Sequence, residues 1–455
     1  MIEIPDVVGD VVRSVGLSTA MRAAGVVTGL LPIPQPMLLV GPGASERLGR
    51  TLCGFGHRKV MIVTDRVIAG MGLPAGLQKA LTAGGTAFAV FDAITADAPI
   101  PLIEEGIAFY ARERCDAIVA FGGGSPMDAA KTIALSVANR KHPRKLVGYF
   151  RGLRAPVPVY AVPTTAGTGS EVTVAAVISD PDTGKKLVIA DTRLVPAMAA
   201  LDPLLMTGLP PAITAATGMD ALTHAVEAFV GKWATTHSDR MALAAVRIIY
   251  GNLRTAFRKG DDLAAREQMA LAATFGGLAF TRANVGYVHA IAHQLGGRYH
   301  TPHGLANAIL LPHVLRFLAP SVTKRLAVLA VHAGVGTARE KPAQLAEKFL
   351  DSVETLNRDL GIPSDLDALR EEDLPDLAKA ACWEADTSYP VPRYMSPATC
   401  ETLLRRVLPK PGGKAPMPPG AKARRRAPDK PRQAPRADAG QRRAGVAAQR
   451  RARSG

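Results

Sequence analysis

Short apolar runs alternate with amphipathic stretches through the first half of the chain. Five such runs, bounded by Gly, Pro or Asp, are typical of buried strands and lie at 37–40, 59–65, 86–92, 116–131 and 157–173, the last two continuing into glycine-rich turns. Residues 104–114 have helical spacing. Strands that alternate with helices predict a parallel, doubly wound α/β sheet, whose ligands bind at the carboxyl ends of the strands.

From about Pro210 the strand signals stop and helical spacing replaces them. Helices are predicted over 211–230, 237–258, 261–280, 285–295, 304–318, 320–334, 342–360 and 372–383. This pattern predicts a second, all-helical domain. We place the boundary near residue 205, so that 33–205 form the α/β domain and 206–408 the helical domain.

The two ends of the chain differ from this body. Residues 1–32 are moderately amphipathic and predict a helical lead packed on the body, with a partner-docking peptide as the alternative. Residues 409–455 are rich in Pro, Gly, Ala and Arg and predict a disordered basic tail. From Lys410 onward the chain has 14 Lys and Arg against 2 Asp, so the tail carries +12 of the net charge of +16. Contact with nucleic acid is therefore confined to the tail, where a solvated tail without a partner is the favoured interpretation.

Composition limits the class of protein. The 455 residues are 47% hydrophobic and 21% charged, which is a globular balance. No uninterrupted apolar run reaches the roughly 18–20 residues that span a bilayer, so no membrane partner is expected. The four cysteines are scattered without a CxxC pair and the N-terminus has no secretion-signal layout. Reduced thiols in a cytoplasmic protein are expected.

Two pairs of residues spaced four apart indicate a metal site. Asp220 and His224 lie on one predicted helix, and His289 and His293 lie on another. Residues four apart share a helix face. His303 follows Gly296-Gly297 and Thr301-Pro302, where the chain can turn back. One carboxylate and two or three imidazoles suit a divalent transition metal, with iron or zinc favoured over magnesium.

Two glycine-rich turns indicate a nucleotide site. The turns at 121–128 and 163–171 each follow a predicted strand, and glycines there let the backbone approach a pyrophosphate. Either turn alone is a weak signal, because many strand–helix turns hold glycine for steric reasons. Asp65 ends another strand and suits a ribose 2′-hydroxyl, which favours NAD over NADP; a helix or turn cap is the alternative.

Four segments, GGGSPMDAAK, PTTAGTGSEVT, ATGMDALTHAVEAF and VHAIAHQLGGRYHTPHGLANAILLPHV, together resemble the iron-containing (group III) alcohol dehydrogenase family over roughly residues 35–408. The resemblance implies the dehydroquinate synthase-like fold, with a dinucleotide-binding α/β domain, a helical domain and the metal in the cleft between them. It also implies a homodimer that acts on a small alcohol or aldehyde.

The resemblance also implies roles for individual residues. It implies four metal ligands for Fe²⁺, with Zn²⁺ as the alternative: Asp220, His224, His289 and His303. It implies that His293 is the catalytic histidine of the cleft and that Phe280 is an aromatic residue of the substrate pocket. The implied cofactor contacts are Gly123, Gly124, Ser125, Asp128, Thr164, Thr165, Thr168 and Lys186. Substrate oxygen is expected on the metal, which lowers the pKa of the alcohol before hydride passes to nicotinamide. His293 is expected to relay a proton or orient the substrate.

Two departures from the family pattern change the expectations. Asp97 stands where many members have Asn, and Arg282 interrupts a run of small residues before His289. Arg282 favours an anionic or polar substrate, or pairs with a surface acid. The rival interpretations are a glycerol dehydrogenase-like zinc enzyme with fewer protein ligands, and a nucleic-acid or scaffold binding protein that acts through the tail.

Overall fold

The structure is a computed structural model that describes Gly25 and residues 31–409. The predicted N-terminal lead, apart from Gly25 and its last two residues, lies outside this range. The predicted basic tail, apart from its first residue, Pro409, also lies outside it. Both predictions stay predictions.

A six-stranded parallel sheet forms the first half of the described chain. Its strands lie in the order β1-β9-β6-β4-β2-β3. In chain order they are β1 (Met37–Val40), β2 (Lys59–Val63), β3 (Ala87–Phe91), β4 (Ala117–Gly122), β6 (Val159–Pro163) and β9 (Met198–Leu201). The central strands β4 and β6 are buried along their whole length, as expected for a parallel sheet covered by helices on both faces. The predicted doubly wound sheet is confirmed.

A second, three-stranded sheet lies beside the first and was not predicted. It has the order β5-β8-β7, with β5 (Gly148–Tyr149), β7 (Ala175–Asp180) and β8 (Lys185–Ala190). β7 and β8 are antiparallel and are joined by a short turn in which Gly184 has φ +65°. The alternating runs on either side of this Pro-Asp-Thr-Gly turn are a hairpin signal that the sequence contains.

Helices cover the first sheet and then form the second half of the chain. The first five are α1 (Ala44–Gly54), α2 (Arg66–Gly70), α3 (Ala75–Ala83), α4 (Ile100–Glu113) and α5 (Gly124–Asn139). The helical domain contains α6 (Pro211–Val230), α7 (Thr236–Arg258), α8 (Leu263–Ala283), α9 (Tyr287–Tyr299), α10 (His303–His332), α11 (Pro342–Asp359), α12 (Leu374–Ser388) and α13 (Pro397–Arg405). The predicted all-helical second domain is confirmed; its exact boundary near residue 205 stays a prediction.

The helical domain contains one break near a position that the sequence predicts and one helix that it does not. The helices predicted at 304–318 and 320–334 correspond to the two parts of α10, which contains Pro312 and Pro320 and has a kink with non-helical backbone at Val322. A proline removes one backbone hydrogen bond, but the apolar face of the helix stays packed on both sides of the break, so the helix bends and continues. The short helix α13 was not predicted.

One described helix, α10, is long and apolar enough to cross a membrane by length and composition alone. Its most apolar 18-residue window is 61% buried inside the protein. The core helix of a globular protein passes the same test, and this helix packs against α6 and α11.

The turn after β6 is held against α8 by close backbone packing. Gly169 has φ +62°, and a Cβ there would lie 2.7 Å from Ala273 O; a Cβ on Gly277 would lie 2.7 Å from Gly169 O. Nearby, the hydroxyl of Thr274 donates to the buried carboxyl of Glu171 at 2.7 Å. These contacts fix the second glycine-rich turn relative to the helical domain.

Substituting the two helical glycines Gly277 and Gly251 should have opposite effects on stability. Gly277→Ala places a methyl group against backbone that cannot move aside, and should lower the free energy of unfolding by about 1–3 kcal/mol. Gly251, on α7, has open space around its Cβ position, so Gly251→Ala should raise it by about 0.5–1 kcal/mol through helix propensity. Thermal unfolding of both variants measures this, and equal melting temperatures would contradict the close packing at Gly277.

Candidate active site and metal centre

A cavity of about 1530 Å³ lies between the carboxyl ends of the parallel strands and the helical domain. Of the residues predicted to hold cofactor, metal or substrate, those that line it are Gly124, Ser125, Asp128, Thr168, Lys186, Asp220, His224, Phe280, His289, His293 and His303. The cavity therefore joins one end of the first glycine-rich turn to the predicted metal ligands.

The four predicted metal ligands converge at the helical side of this cavity. One potential ligand atom from each of Asp220, His224, His289 and His303 lies within 4.8 Å of all the others. Helix α6 supplies the first two, four residues apart, while α9 supplies His289 and the first residue of α10 is His303. From Asp220 Oδ1 the distances to the Nε2 atoms are 4.0 Å for His224, 3.9 Å for His289 and 3.6 Å for His303.

The surroundings of Asp220, His289 and His303 favour the protonation states that bind metals. Burial opposes ionisation of Asp220, but the nearby imidazoles of His224, His303 and His289 outweigh it and hold its pKa below the usual value. Burial, reinforced by neighbouring imidazole, lowers the pKa of His289 well below its ordinary value, and burial does the same for His303. A metal ion needs a carboxylate and neutral imidazoles as donors, so the group fits a divalent cation.

Glu227 orients His289 and was missed by the sequence analysis. Its carboxyl pairs with His289 Nδ1 at 2.6 Å and accepts the backbone N–H groups of Gly286 at 2.9 Å and Val288 at 2.7 Å. Burial raises the pKa of Glu227 to about 7. A carboxylate that accepts a hydrogen bond from the ring nitrogen not used for the metal fixes the tautomer and ring orientation of a ligating histidine. Its only signal in the sequence is a carboxyl three residues after His224 on an otherwise apolar helix.

Asn307, one turn after His303 on α10, was also missed. Its side-chain amide donates to Asp220 Oδ1 at 2.7 Å and lies 3.2 Å from His289 Nε2 and 3.1 Å from His303 Nε2. The amide thus contacts three of the four donor groups at once, and it holds the carboxylate of Asp220 toward the imidazoles.

His293 lies beside the metal group and has its own support. Its ring stacks on that of His303, with centroids 5.5 Å apart and planes 16° apart. Its Nδ1 pairs with Glu384 Oε1 at 2.7 Å, and the same oxygen accepts the Tyr389 hydroxyl at 2.6 Å. Glu384 Oε2 accepts the Gln294 amide at 2.7 Å. Because Glu384 occupies Nδ1, the remaining ring nitrogen Nε2 is the one that can serve a substrate in the cavity. Glu384 and Tyr389 gave no recognised signal in the sequence.

The first glycine-rich turn opens helix α5 and packs against the second. A Cβ on Gly123 would lie 3.3 Å from Thr165 Oγ1, and one on Gly124 would lie 2.9 Å from Thr168 Cγ2. A side chain at either position would crowd the facing threonine, so glycine lets the two turns pack closely together. Thr168 lines the cavity, whereas Gly123, Thr164 and Thr165 are not among its lining residues.

Asp128 and Asp65 both make structural contacts. The carboxylate of Asp128 accepts the Ser170 hydroxyl at 2.7 Å and the Val177 N–H at 3.0 Å, and so ties the second turn to α5. Asp65 caps α2 by accepting the Ile68 N–H at 2.9 Å, and it is outside the cavity lining. The capping alternative is thus present in the structure, and the ribose role of Asp65 stays a prediction.

Lys186 lies in the cavity and pairs with Asp97. The distance from Lys186 Nζ to Asp97 Oδ1 is 2.9 Å. The backbone N–H of Asp97 also donates to Ser125 Oγ at 3.1 Å. The acid that replaces the family's Asn therefore links the predicted ribose lysine to the first glycine-rich turn.

Family comparisons cover most of the described chain. Residues 35–203 match the family described as iron-containing alcohol dehydrogenase. Residues 214–408 match the C-terminal part of the Fe-containing alcohol dehydrogenase family. The two matches correspond to the sheet and to the helices described above.

Individual proteins are similar over the same region. The chain is 41% identical over 345 residues to the 1,3-propanediol dehydrogenase of Klebsiella pneumoniae, which covers 75% of this chain and 89% of that protein. It is 38% identical over 348 residues to the NAD-dependent methanol dehydrogenase of Bacillus methanolicus, covering 76% and 91%. A crystal structure of a 1,3-propanediol oxidoreductase superposes with a TM-score of 0.81 at 37% identity, covering 83% of this chain and 100% of that one.

Removing Glu227 should weaken metal binding without removing a ligand. Glu227→Ala leaves His289 Nδ1 and the N–H groups of Gly286 and Val288 without their acceptor, so the affinity for Fe²⁺ or Zn²⁺ should fall by about 10–100-fold. Competition with a chromophoric chelator measures this affinity, and Glu105→Ala, which removes an exposed glutamate on α4, is the control. Equal affinity of the Glu227 variant and the wild type would contradict the orienting role.

Proposed function

We propose that this chain, which belongs to the iron-containing alcohol dehydrogenase family, transfers a hydride between a primary alcohol or diol, or its aldehyde, and NAD. The observation that carries the proposal is the convergence of Asp220, His224, His289 and His303 in a cavity that is also lined by the glycine-rich turn at Gly124. Similar proteins act on 1,3-propanediol and, with NAD, on methanol, which supports small alcohols as the substrate class.

The metal would be held by Asp220, His224, His289 and His303. The donor set fits Fe²⁺, with Zn²⁺ as the alternative occupant, because it combines one carboxylate with three imidazoles. Such an ion, when bound, supplies a Lewis acid that polarises the substrate oxygen and lowers the pKa of an alcohol. Glu227 and Asn307 keep the donors aligned for it.

The cofactor would lie along the α/β side of the cavity. The N-terminus of α5 at Gly124 and Ser125 offers backbone N–H groups suited to a pyrophosphate. Thr168, in the second glycine-rich turn, and Lys186 also line the cavity. We expect Thr168 to contact the cofactor and Lys186 to contact its ribose. Asp128, which also lines the cavity, ties the two turns together through Ser170, and Gly123, Thr164 and Thr165 belong to the same turns. Asp65 is proposed to disfavour the extra phosphate of NADP through its charge.

His293 is the proposed proton-handling residue. Its Nε2 can accept the alcohol proton, directly or through water, when the alcohol is oxidised, and can return a proton during aldehyde reduction. The carboxylate of Glu384 favours the tautomer with hydrogen on Nδ1 and stabilises the imidazolium that forms on proton uptake. The stacked ring of His303 keeps the imidazole of His293 beside the metal donors.

The rival functions receive less support. A glycerol dehydrogenase-like site with fewer protein ligands does not account for His303, whose Nε2 is the nearest imidazole nitrogen to Asp220. Binding of nucleic acid would depend on the tail, which lies outside the described residues. We also propose that the protein is cytoplasmic, consistent with four free cysteines, and forms a homodimer through the exposed edge strand β1, where the Met37 side chain is 63% exposed.

An NAD-linked assay tests the function directly. Fe²⁺-loaded protein should oxidise primary alcohols and diols, reduce the matching aldehydes, and prefer NAD to NADP. His303→Ala removes one of four donors and should lower kcat/KM by at least about 100-fold, with loss of bound metal measured in parallel by elemental analysis. A chain truncated after residue 409 is the control and should retain activity. Full activity of His303→Ala would refute the four-ligand site.

Loss of Glu384 should affect proton handling more than binding. Glu384→Ala removes the partner of His293 Nδ1, so kcat should fall by about 10–100-fold while KM changes little. The solvent deuterium isotope effect on kcat should increase because proton transfer becomes limiting. Glu384→Gln keeps an oxygen that can accept from Nδ1 and should recover most of the rate, and the exposed Glu372→Ala is the control. An unchanged isotope effect in Glu384→Ala would count against the role of His293.

A further inference from the structure

One wall of the cavity lies ahead of both family matches. The matches begin at residue 35, but the side chains of Leu31 and Ile33 line the cavity together with Trp233 and Arg282. Both of these apolar residues are half-buried. This chain therefore builds part of its cavity from residues that precede the region matched by the family.

The segment that carries this wall is stiff. Its sequence is Leu-Pro-Ile-Pro-Gln-Pro from Leu31 to Pro36. Each proline fixes its own φ, and each residue before a proline is restricted to extended conformations. Leu31 and Ile33 are both residues of this kind. Little further conformational entropy is lost when they are held against a pocket.

The stiff segment is anchored at both ends. The guanidinium of Arg282 donates from Nη1 to the backbone oxygen of Leu31 at 3.0 Å. At the other end, the Met37 N–H donates to Ala197 O at 3.1 Å, where β1 joins the sheet. Between them, Gln35 Nε2 lies 3.4 Å from His237 Nε2 at the start of α7. The wall is thus fixed to both domains.

The position of Arg282 places this wall at the metal end of the cavity. Arg282 follows Phe280 by two residues on the last turn of α8. The ring of Phe280 stacks on that of His224, with centroids 4.3 Å apart and planes 21° apart. Earlier in the chain, Gly25 packs on Trp233 so closely that a Cβ there would lie 2.6 Å from the indole.

We propose that Leu31 and Ile33 form an apolar wall that limits the length of the alcohol, and that Arg282 fastens this wall. The inference rests on the proposed function. It gives Arg282 a structural task on the backbone of Leu31. Removing side-chain volume from the wall lets longer alkyl chains enter, and adding volume excludes them. One methylene group in an apolar pocket changes kcat/KM by about 10–200-fold, so the effect is measurable.

The test compares hexan-1-ol with propan-1-ol under NAD. In the double variant Leu31→Ala/Ile33→Ala, the ratio of their kcat/KM values should rise about tenfold over that of the wild type. In Ile33→Trp the ratio should fall about tenfold. Arg282→Met should move the ratio in the same direction as the double variant because the fastening bond is lost. Leu153→Ala is the matched control, since this leucine is 83% exposed and does not line the cavity.

A binding measurement separates this inference from the proposed function. Hexanamide and propionamide resemble the aldehydes but do not react, and their dissociation constants for the NADH-saturated protein can be measured by fluorescence titration. The same variants should shift the ratio of these constants in the same directions. Ratios within twofold of the wild type in both assays would overturn the inference. A wild type that binds the amides but oxidises no alcohol would overturn the proposed function, and the amide ratios would then decide the inference alone.

Discussion

The site depends on bringing one carboxylate and three imidazoles together where helices α6, α9 and α10 meet. Burial raises the pKa of Asp220, but the facing imidazoles and the Asn307 amide together lower it by more. For His289 and His303 burial lowers the pKa and so favours the neutral imidazole. One environment thus prepares both kinds of donor. It can do so because helices α6, α9 and α10 bury Asp220, His224 and His289.

The metal donors could be predicted because they follow a local spacing, whereas the glutamates that hydrogen-bond to the histidines could not, because they lie far away along the chain. Asp220 with His224 follows from a four-residue step on one helix, which sequence shows directly. The partner of His289 lies 62 residues away and that of His293 lies 91 residues away. Nothing in the chemistry of a glutamate marks which histidine it will meet. Glu227 and Glu384 therefore became visible only in three dimensions.

The α/β half shows the same division. Long apolar runs identified the central strands, because a strand buried on both faces leaves a continuous signal. The four-residue strands β1 and β9 and the hairpin β7–β8 give no long apolar run. Strand β1 was recognised from the turn that follows it, whereas β9 and the hairpin were not recognised. The glycine-rich turns were read as cofactor sites. In the structure Gly123, Gly169 and Gly277 also let the turns and α8 touch, so steric necessity and cofactor binding share the same residues.

The pairing of β1 with β9 has a consequence for how the chain is made. Met37–Val40 lies alongside Met198–Leu201, so the first strand hydrogen-bonds to a segment that leaves the ribosome about 160 residues later. During synthesis β1 stays unpaired until β9 has been made, because β9 lies between β1 and β6 in the sheet. Such a long-range closure slows folding and leaves a strand edge exposed in the nascent chain. The short length of β1 limits how much of that edge another nascent chain can capture.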